Sequence, residues 1–176
     1  MSVASLCPEL ESLTVAVPND EEGSASVLLR DIFELDVSDK DEVVVLHERR
    51  PGGRLRQLTI LNSDDLSDVH LRHVINRCPR LQHLRINNCP QVKGLFLQHP
   101  SLSVQLRSLN LSGCAFVNDQ AMHALVASPS SETIEDLSLN FCGGISAKGF
   151  EHLGVLVGRK TLRTLQLKRV SLLRAA

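Results

Sequence analysis

The sequence predicts an α/β solenoid, a right-handed horseshoe with a parallel sheet on its concave face and helices on its convex face. Three observations carry that prediction. A six-residue pattern with aliphatics at positions one, four and six occurs at Leu55–Ile60, Leu81–Ile86, Leu106–Leu111, Ile134–Leu139 and Leu162–Leu167, its starts 25 to 28 residues apart. Three residues past each copy comes Ser63, Cys89, Cys114, Cys142 or Val170, so three of the five cysteines share one structural position. An aliphatic follows at Leu66, Val92, Val117 or Ile145. In three copies the next residue is Ser67, Asn118 or Ser146, each a good helix N-cap.

Within one unit, the alternation of the six-residue pattern reads as a short strand and the small residue as a buried turn. The cap then opens a helical stripe: Leu71, Val74, Ile75 and Cys78 in one unit, Met122, Leu125 and Val126 in the next, and Phe150, Leu153, Gly154 and Val157 in the last. No unit can bury its apolar face alone, and stacking units makes one continuous core. Cysteine suits the turn because it packs as a compact hydrophobe while its S–H can still meet a backbone carbonyl.

The units give a single domain over 1–176, divided as 1–17, 18–54, 55–80, 81–105, 106–133, 134–161 and 162–176. An earlier copy of the pattern, Leu10–Val15, starts 45 residues before Leu55 and has Pro18 at the turn position. Residues 18–54 read as one enlarged repeat or as a degenerate repeat with an insertion; 45 residues is short of two ordinary coils, which favours the first. Inside this stretch, Ser26 to Leu35 reads as a short helix with Val27, Leu28, Ile32 and Leu35 available for burial. Val43 to Leu46 reads as a buried strand, flanked by acidic loops and by a basic turn from Arg49 to Arg54. The Leu81 unit departs from the pattern: Lys93 replaces the N-cap and Pro100 falls where a helix needs an N–H, so extended, irregular backbone is expected there. Leu6-Cys7-Pro8 reads as the tail of a preceding unit, and no polar cap is evident at either end.

Composition narrows the function. The chain has 176 residues, 19 Lys and Arg against 20 Asp and Glu, and 3% aromatics with no Trp or Tyr. Nothing there attracts phosphate backbones or stacks bases, so nucleic acid is not an expected partner. No apolar run reaches membrane-spanning length and the start is not a signal peptide, which excludes a membrane role and points to the cytoplasm, with the nucleus as a second compartment. Five cysteines without a CxxC pair fit neither a disulfide framework nor a zinc module.

The repeated pattern resembles the cysteine-containing class of leucine-rich repeats, and Cys7-Pro8-Glu9-Leu10 and Cys78-Pro79-Arg80-Leu81 add to the resemblance. That class is best known from the substrate-receptor arms of F-box ubiquitin ligases, with relatives of ribonuclease-inhibitor-like architecture. The resemblance implies a protein-binding module. Its leading role would be substrate recognition for an SCF-type E3 ligase, with Skp and cullin as further partners through an F-box. The chain contains no recognisable F-box. The alternative is a structural or scaffolding subunit of a multiprotein assembly.

Because the pattern leucines point inward, the residues between them line the concave face. They form three columns: Ser12, Gln57, His83, Ser108, Asp136 and Thr164; Thr14, Thr59, Arg85, Asn110, Ser138 and Gln166; and Ala16, Leu61, Asn87, Ser112, Asn140 and Lys168. The candidate partner-binding residues are Gln57, Thr59, His83, Arg85, Asn87, Ser108, Asn110, Asp136, Ser138, Asn140, Gln166 and Lys168. Arg85 is the leading single residue, arginine being enriched in hot spots. Little cost is expected from Ser138→Ala.

No enzyme activity, cofactor or metal is expected. His70 and His73 stand three apart on one helix but read as surface histidines. Cys78 and Cys89 fall on different parts of the coil, and turn cysteines should be too buried for a reactive thiolate. Gly52-Gly53 and Gly143-Gly144 lack a nucleotide-binding context.

Overall fold

The computed structural model describes residues 7, 9–17, 25–33, 53–98 and 104–170. Among these residues six strands, β1 (Ser12–Ala16), β2 (Gln57–Leu61), β3 (His83–Asn87), β4 (Ser108–Asn110), β5 (Asp136–Ser138) and β6 (Thr164–Gln166), form one sheet in sequence order, every neighbouring pair parallel. Four helices, α1 (Ala25–Phe33), α2 (Asp68–Arg77), α3 (Asp119–Ala127) and α4 (Ala147–Gly158), with a 3-10 turn at Leu95–Gln98, pack side by side as a second layer. The protein is thus an α/β fold with a six-stranded parallel sheet. Among the described residues no helix is long and apolar enough to cross a membrane.

The register is unshifted across the sheet. Leu13, Leu58, Leu84, Leu109, Leu137 and Leu165 stand opposite one another in turn, and from Leu58 to Leu137 they are buried in the same core as Leu71, Val74, Met122, Leu125 and Leu153 of the helices. Identical backbone bonds recur at both ends of the strands. At the entry edge one carbonyl accepts two successive N–H groups of the next unit: Glu11 from Arg56 and Gln57, Arg56 from Gln82 and His83, and so on to Glu135 from Arg163 and Thr164. At the exit edge the N–H of Asn62, Asn88, Gly113 and Phe141 donates to Asn87, Ser112, Asn140 and Lys168 at 2.8–3.1 Å.

Those exit residues, with Arg169, share a left-handed backbone, φ running from 53° at Arg169 to 81° at Gly113. Asparagine and glycine accept this conformation readily; for a bulky side chain such as Phe141 it costs about 1–2 kcal/mol. The next loops approach closely: a Cβ on Gly144 would lie 2.6 Å from the Val117 carbonyl oxygen.

Several expectations hold and several change. Leu71, Val74, Ile75 and Cys78 are buried as a stripe, and so are Cys89, Cys114, Cys142 and Ser63 at the turn position. Ser67, Asn118 and Ser146 are the N-caps of α2, α3 and α4. In α4, however, the buried face is Gly149, Leu153 and Leu156, while Gly154 and Val157 are exposed. The helix is turned so that Gly149 backs onto Asp119, whose carboxylate leaves no room for a Cβ there. In α1 the buried residues are Ala25, Leu29 and Phe33, and Val27 and Leu28 face outward. Apolar residues occur on both sides of that helix, so its sequence does not single out one face. Leu35, Pro18 and the Val43–Leu46 strand lie outside the described residues. In the Leu81 unit, backbone expected to be extended forms a 3-10 turn that buries Phe96 and Leu97.

Leu109 is fully buried, so Leu109→Ala should lower the free energy of unfolding by about 2–5 kcal/mol in denaturant titrations. A loss below 1 kcal/mol would contradict its inward placement.

Candidate functional site

The sheet face opposite the helices carries the candidate residues, and the strand register aligns them. Gln57, His83, Ser108 and Asp136 pair in one row, and Thr59, Arg85, Asn110, Ser138 and Gln166 in the next. Leu61 and Asn87 continue the third, while Asn140 and Lys168 follow the ends of β5 and β6. Gln57, His83, Arg85, Asp136, Gln166 and Lys168 are exposed, and Asn87, Ser108, Asn110 and Asn140 half-buried.

Thr59 and Ser138 stand in their expected column but are buried there, each 8% exposed. Strands about 4.8 Å apart let a longer neighbour shade a short side chain, and Thr59 adjoins Arg85 while Ser138 adjoins Gln166. Ser138 is also the centre of a polar network. Its Oγ lies 2.8 Å from Ser112 Oγ, donates to Gln166 Oε1 at 3.2 Å and accepts from Asn140 Nδ2 at 3.1 Å. Asn140 also bonds Gln166 and, through Oδ1, accepts the Lys168 amide at 2.7 Å. The β5–β6 end of the face is therefore pre-ordered. At the β3 end Arg85 Nε reaches Asn87 Oδ1 at 3.3 Å, and its guanidinium stays exposed.

Four of the five thiols are built into the core, and Cys7 is exposed. Cys114 donates to the Ile86 carbonyl at 3.5 Å and Cys142 to the Leu111 carbonyl at 3.2 Å, bridging one unit to the one before. Burial pushes the Cys89 thiol up to about 11 and Cys78, Cys114 and Cys142 up to about 12, the opposite of what a nucleophile needs. His70 turns inward to its own helix start, its Nδ1 accepting the Ser67 amide at 3.2 Å and lying 3.0 Å from Ser67 Oγ. This imidazole fills the place a Glu or Gln takes in a capping box. Among the described residues no group of three or more metal-ligating side chains converges.

Two aspartates carry a role that sequence reasoning missed. Asp68 accepts the amides of Lys93 and Phe96 at 2.8 and 3.0 Å, and Asp119 accepts those of Ser146 and Gly149 at 2.7 and 3.1 Å as well as the Ser146 hydroxyl. Each thus caps the start of the outer segment in the next unit, across 25 to 30 residues of chain. Burial pushes the Asp119 pKa up, but these hydrogen bonds outweigh it and hold the carboxyl below its usual value. The signal was the dipeptide of cap residue plus aspartate, Ser67-Asp68 and Asn118-Asp119, recurring in register.

No family model matches the chain. What the face can bind therefore follows from its own geometry: a broad, polar, nearly neutral surface, ordered at one end, with an exposed guanidinium at the other. It offers hydrogen bonds in rows, without an enclosed cavity or an activated nucleophile among its candidate residues.

Two outcomes test this description. Burial holds the His70 pKa below 6.5, against the pull of the Asp65 carboxylate. The unfolded chain therefore takes up that proton first, so the stability linked to His70 is complete above pH 6.5 and declines as pH falls toward the folded-state value. His70→Gln keeps the amide acceptor and should flatten this step in unfolding curves recorded from pH 7.5 to 5; an unchanged pH profile would contradict the cap. Ser138→Ala, against the sequence expectation, should cost about 1 kcal/mol by thermal or chemical unfolding, since it strips a half-buried network of its centre.

Proposed function

We propose that the chain is a leucine-rich-repeat solenoid of the cysteine-containing type, acting as a non-enzymatic protein-binding module through the polar face of its sheet. One observation carries the reading: consecutive parallel strands in unshifted register align Gln57 through Gln166 into rows of hydrogen-bonding side chains on one face. The recurrence of the same entry and exit bonds between successive units supports a repeat architecture. Such a row presents many weak contacts over a long surface, which fits another protein better than a small molecule needing enclosure.

By the sequence resemblance, the specific role is the substrate-recognition arm of an SCF-type ubiquitin ligase in the cytoplasm or nucleus, where Skp and cullin join through an F-box outside these residues. A second reading, a scaffold subunit packed by its helices, is favoured by the exposed Val155 and Val157 on α4.

Affinity capture from cell lysate with the intact chain and with an Arg85→Glu, Asn110→Ala variant separates these. A protein retained by the intact chain and lost by the variant, together with ligase components, is the expected result. Retention of the same assembly by both, without ubiquitin machinery, would reject the sheet-face reading in favour of the scaffold.

A further inference from the structure

The exit edge of the sheet carries a feature that the polar face does not use. At the left-handed position after β2, β3 and β4 stand Asn62, Asn88 and Gly113, residues that tolerate it, and after β5 stands Phe141 with φ 61°. Phe141 is 46% exposed, so burial does not offset its strain. Arg169, at the same position one unit on, places its guanidinium carbon 5.6 Å from the Phe141 ring centre. Phe116, 58% exposed, lies on the loop before α3, which packs along the loop after Phe141: Asn118 bridges to Gly144, and Gly143 faces the Ala115 carbonyl. Two of the chain's five phenylalanines thus stand in solvent on adjoining loops of one edge.

The charge around them is one-sided. Lys168 and Arg169 are exposed and, among the described residues, neither pairs with a carboxylate. By contrast, Arg54, Arg107, Arg159 and Arg163 are matched to Glu9, Glu135, Glu132 and Glu135. The Asp119 carboxylate near this edge is consumed by Ser146 and Gly149. An exposed aromatic held in a strained backbone, with a cation on its ring and a second beside it, is an anchor awaiting a complementary group.

We propose that the edge formed by Phe116, Phe141, Lys168 and Arg169 docks an acidic peptide segment of a partner protein, an aromatic or aliphatic residue of that segment packing on the phenylalanines and its carboxylates meeting Lys168 and Arg169. This site adjoins the polar sheet face, sharing only Lys168 with it, and stands whether or not that face recognises a partner.

The test is to pan a random dodecapeptide phage library on the full chain and measure the enriched peptides, fluorescein-labelled, by anisotropy. Expected are sequences with an apolar anchor flanked by Asp or Glu, bound at least tenfold more weakly by Phe141→Asn and by Arg169→Ala. Phe141→Asn should fold with an unchanged or higher melting temperature, since Asn62 and Asn88 already hold this conformation. No enrichment, neutral or basic sequences, or binding indifferent to Phe141→Asn would overturn the proposal. So would a fall of several degrees in the melting temperature of that variant, which would make the ring a structural element. Binding lost with Arg85→Glu but kept with Phe141→Asn would overturn the edge site and leave the sheet-face reading standing.

Discussion

An unshifted parallel register is the constraint on which everything else in this protein depends. Each unit must meet the next at both ends of its strand: at the entry edge its carbonyl accepts two successive amides of the next unit, and at the exit edge its own amide donates to a carbonyl of the next unit. With those bonds in place, Leu58, Leu84, Leu109 and Leu137 stack without a slip. A slip of one residue would turn every leucine into solvent and every polar side chain into the core. The thiols follow from the same rule. Cys114 and Cys142 sit where a compact apolar group fits, and their S–H groups reach back to the Ile86 and Leu111 carbonyls of the preceding unit.

The outer layer is less constrained, because its segments need only cover the core and satisfy their own ends. The helices α2, α3 and α4 start at a cap residue, yet the Leu81 unit manages with a single 3-10 turn. What connects these unlike segments is a carboxylate from the unit before: Asp68 caps the 3-10 turn as Asp119 caps α4. An aspartate at the first helical position thereby answers two needs, favourable charge at its own helix start and hydrogen bonds to the next segment's amides. Gly149 records the closeness of that contact.

The two surfaces proposed to bind partners differ in chemistry. The sheet face is polar and close to neutral, its short side chains shaded and tied together at the β5–β6 end, its one projecting guanidinium at β3. The exit edge instead concentrates exposed aromatics and cations that, among the described residues, meet no carboxylate. Both arise from the repeat, since a position used for a structural purpose in one unit is free to vary in another: the turn that needs asparagine or glycine at three places accepts phenylalanine and arginine at the next two, at an energetic cost that core packing elsewhere covers.

Much was legible in the sequence. The strand positions, the buried turn cysteines, the three N-caps and the α2 stripe depend on local spacing and on residue chemistry, which a periodic pattern exposes directly, and the sheet columns follow once the leucines are assigned inward. Only the tertiary structure decided which face of α1 and α4 is buried, since each carries apolar residues on more than one side and the choice belongs to the neighbours it meets. It also decided that Thr59 and Ser138 are covered, that His70 closes a cap instead of facing solvent, and that Asp68 and Asp119 reach into the next unit. Apart from the His70 cap, which joins residues three apart, those facts depend on pairs of atoms 25 or more residues apart in the chain, brought together by register and not by any local propensity.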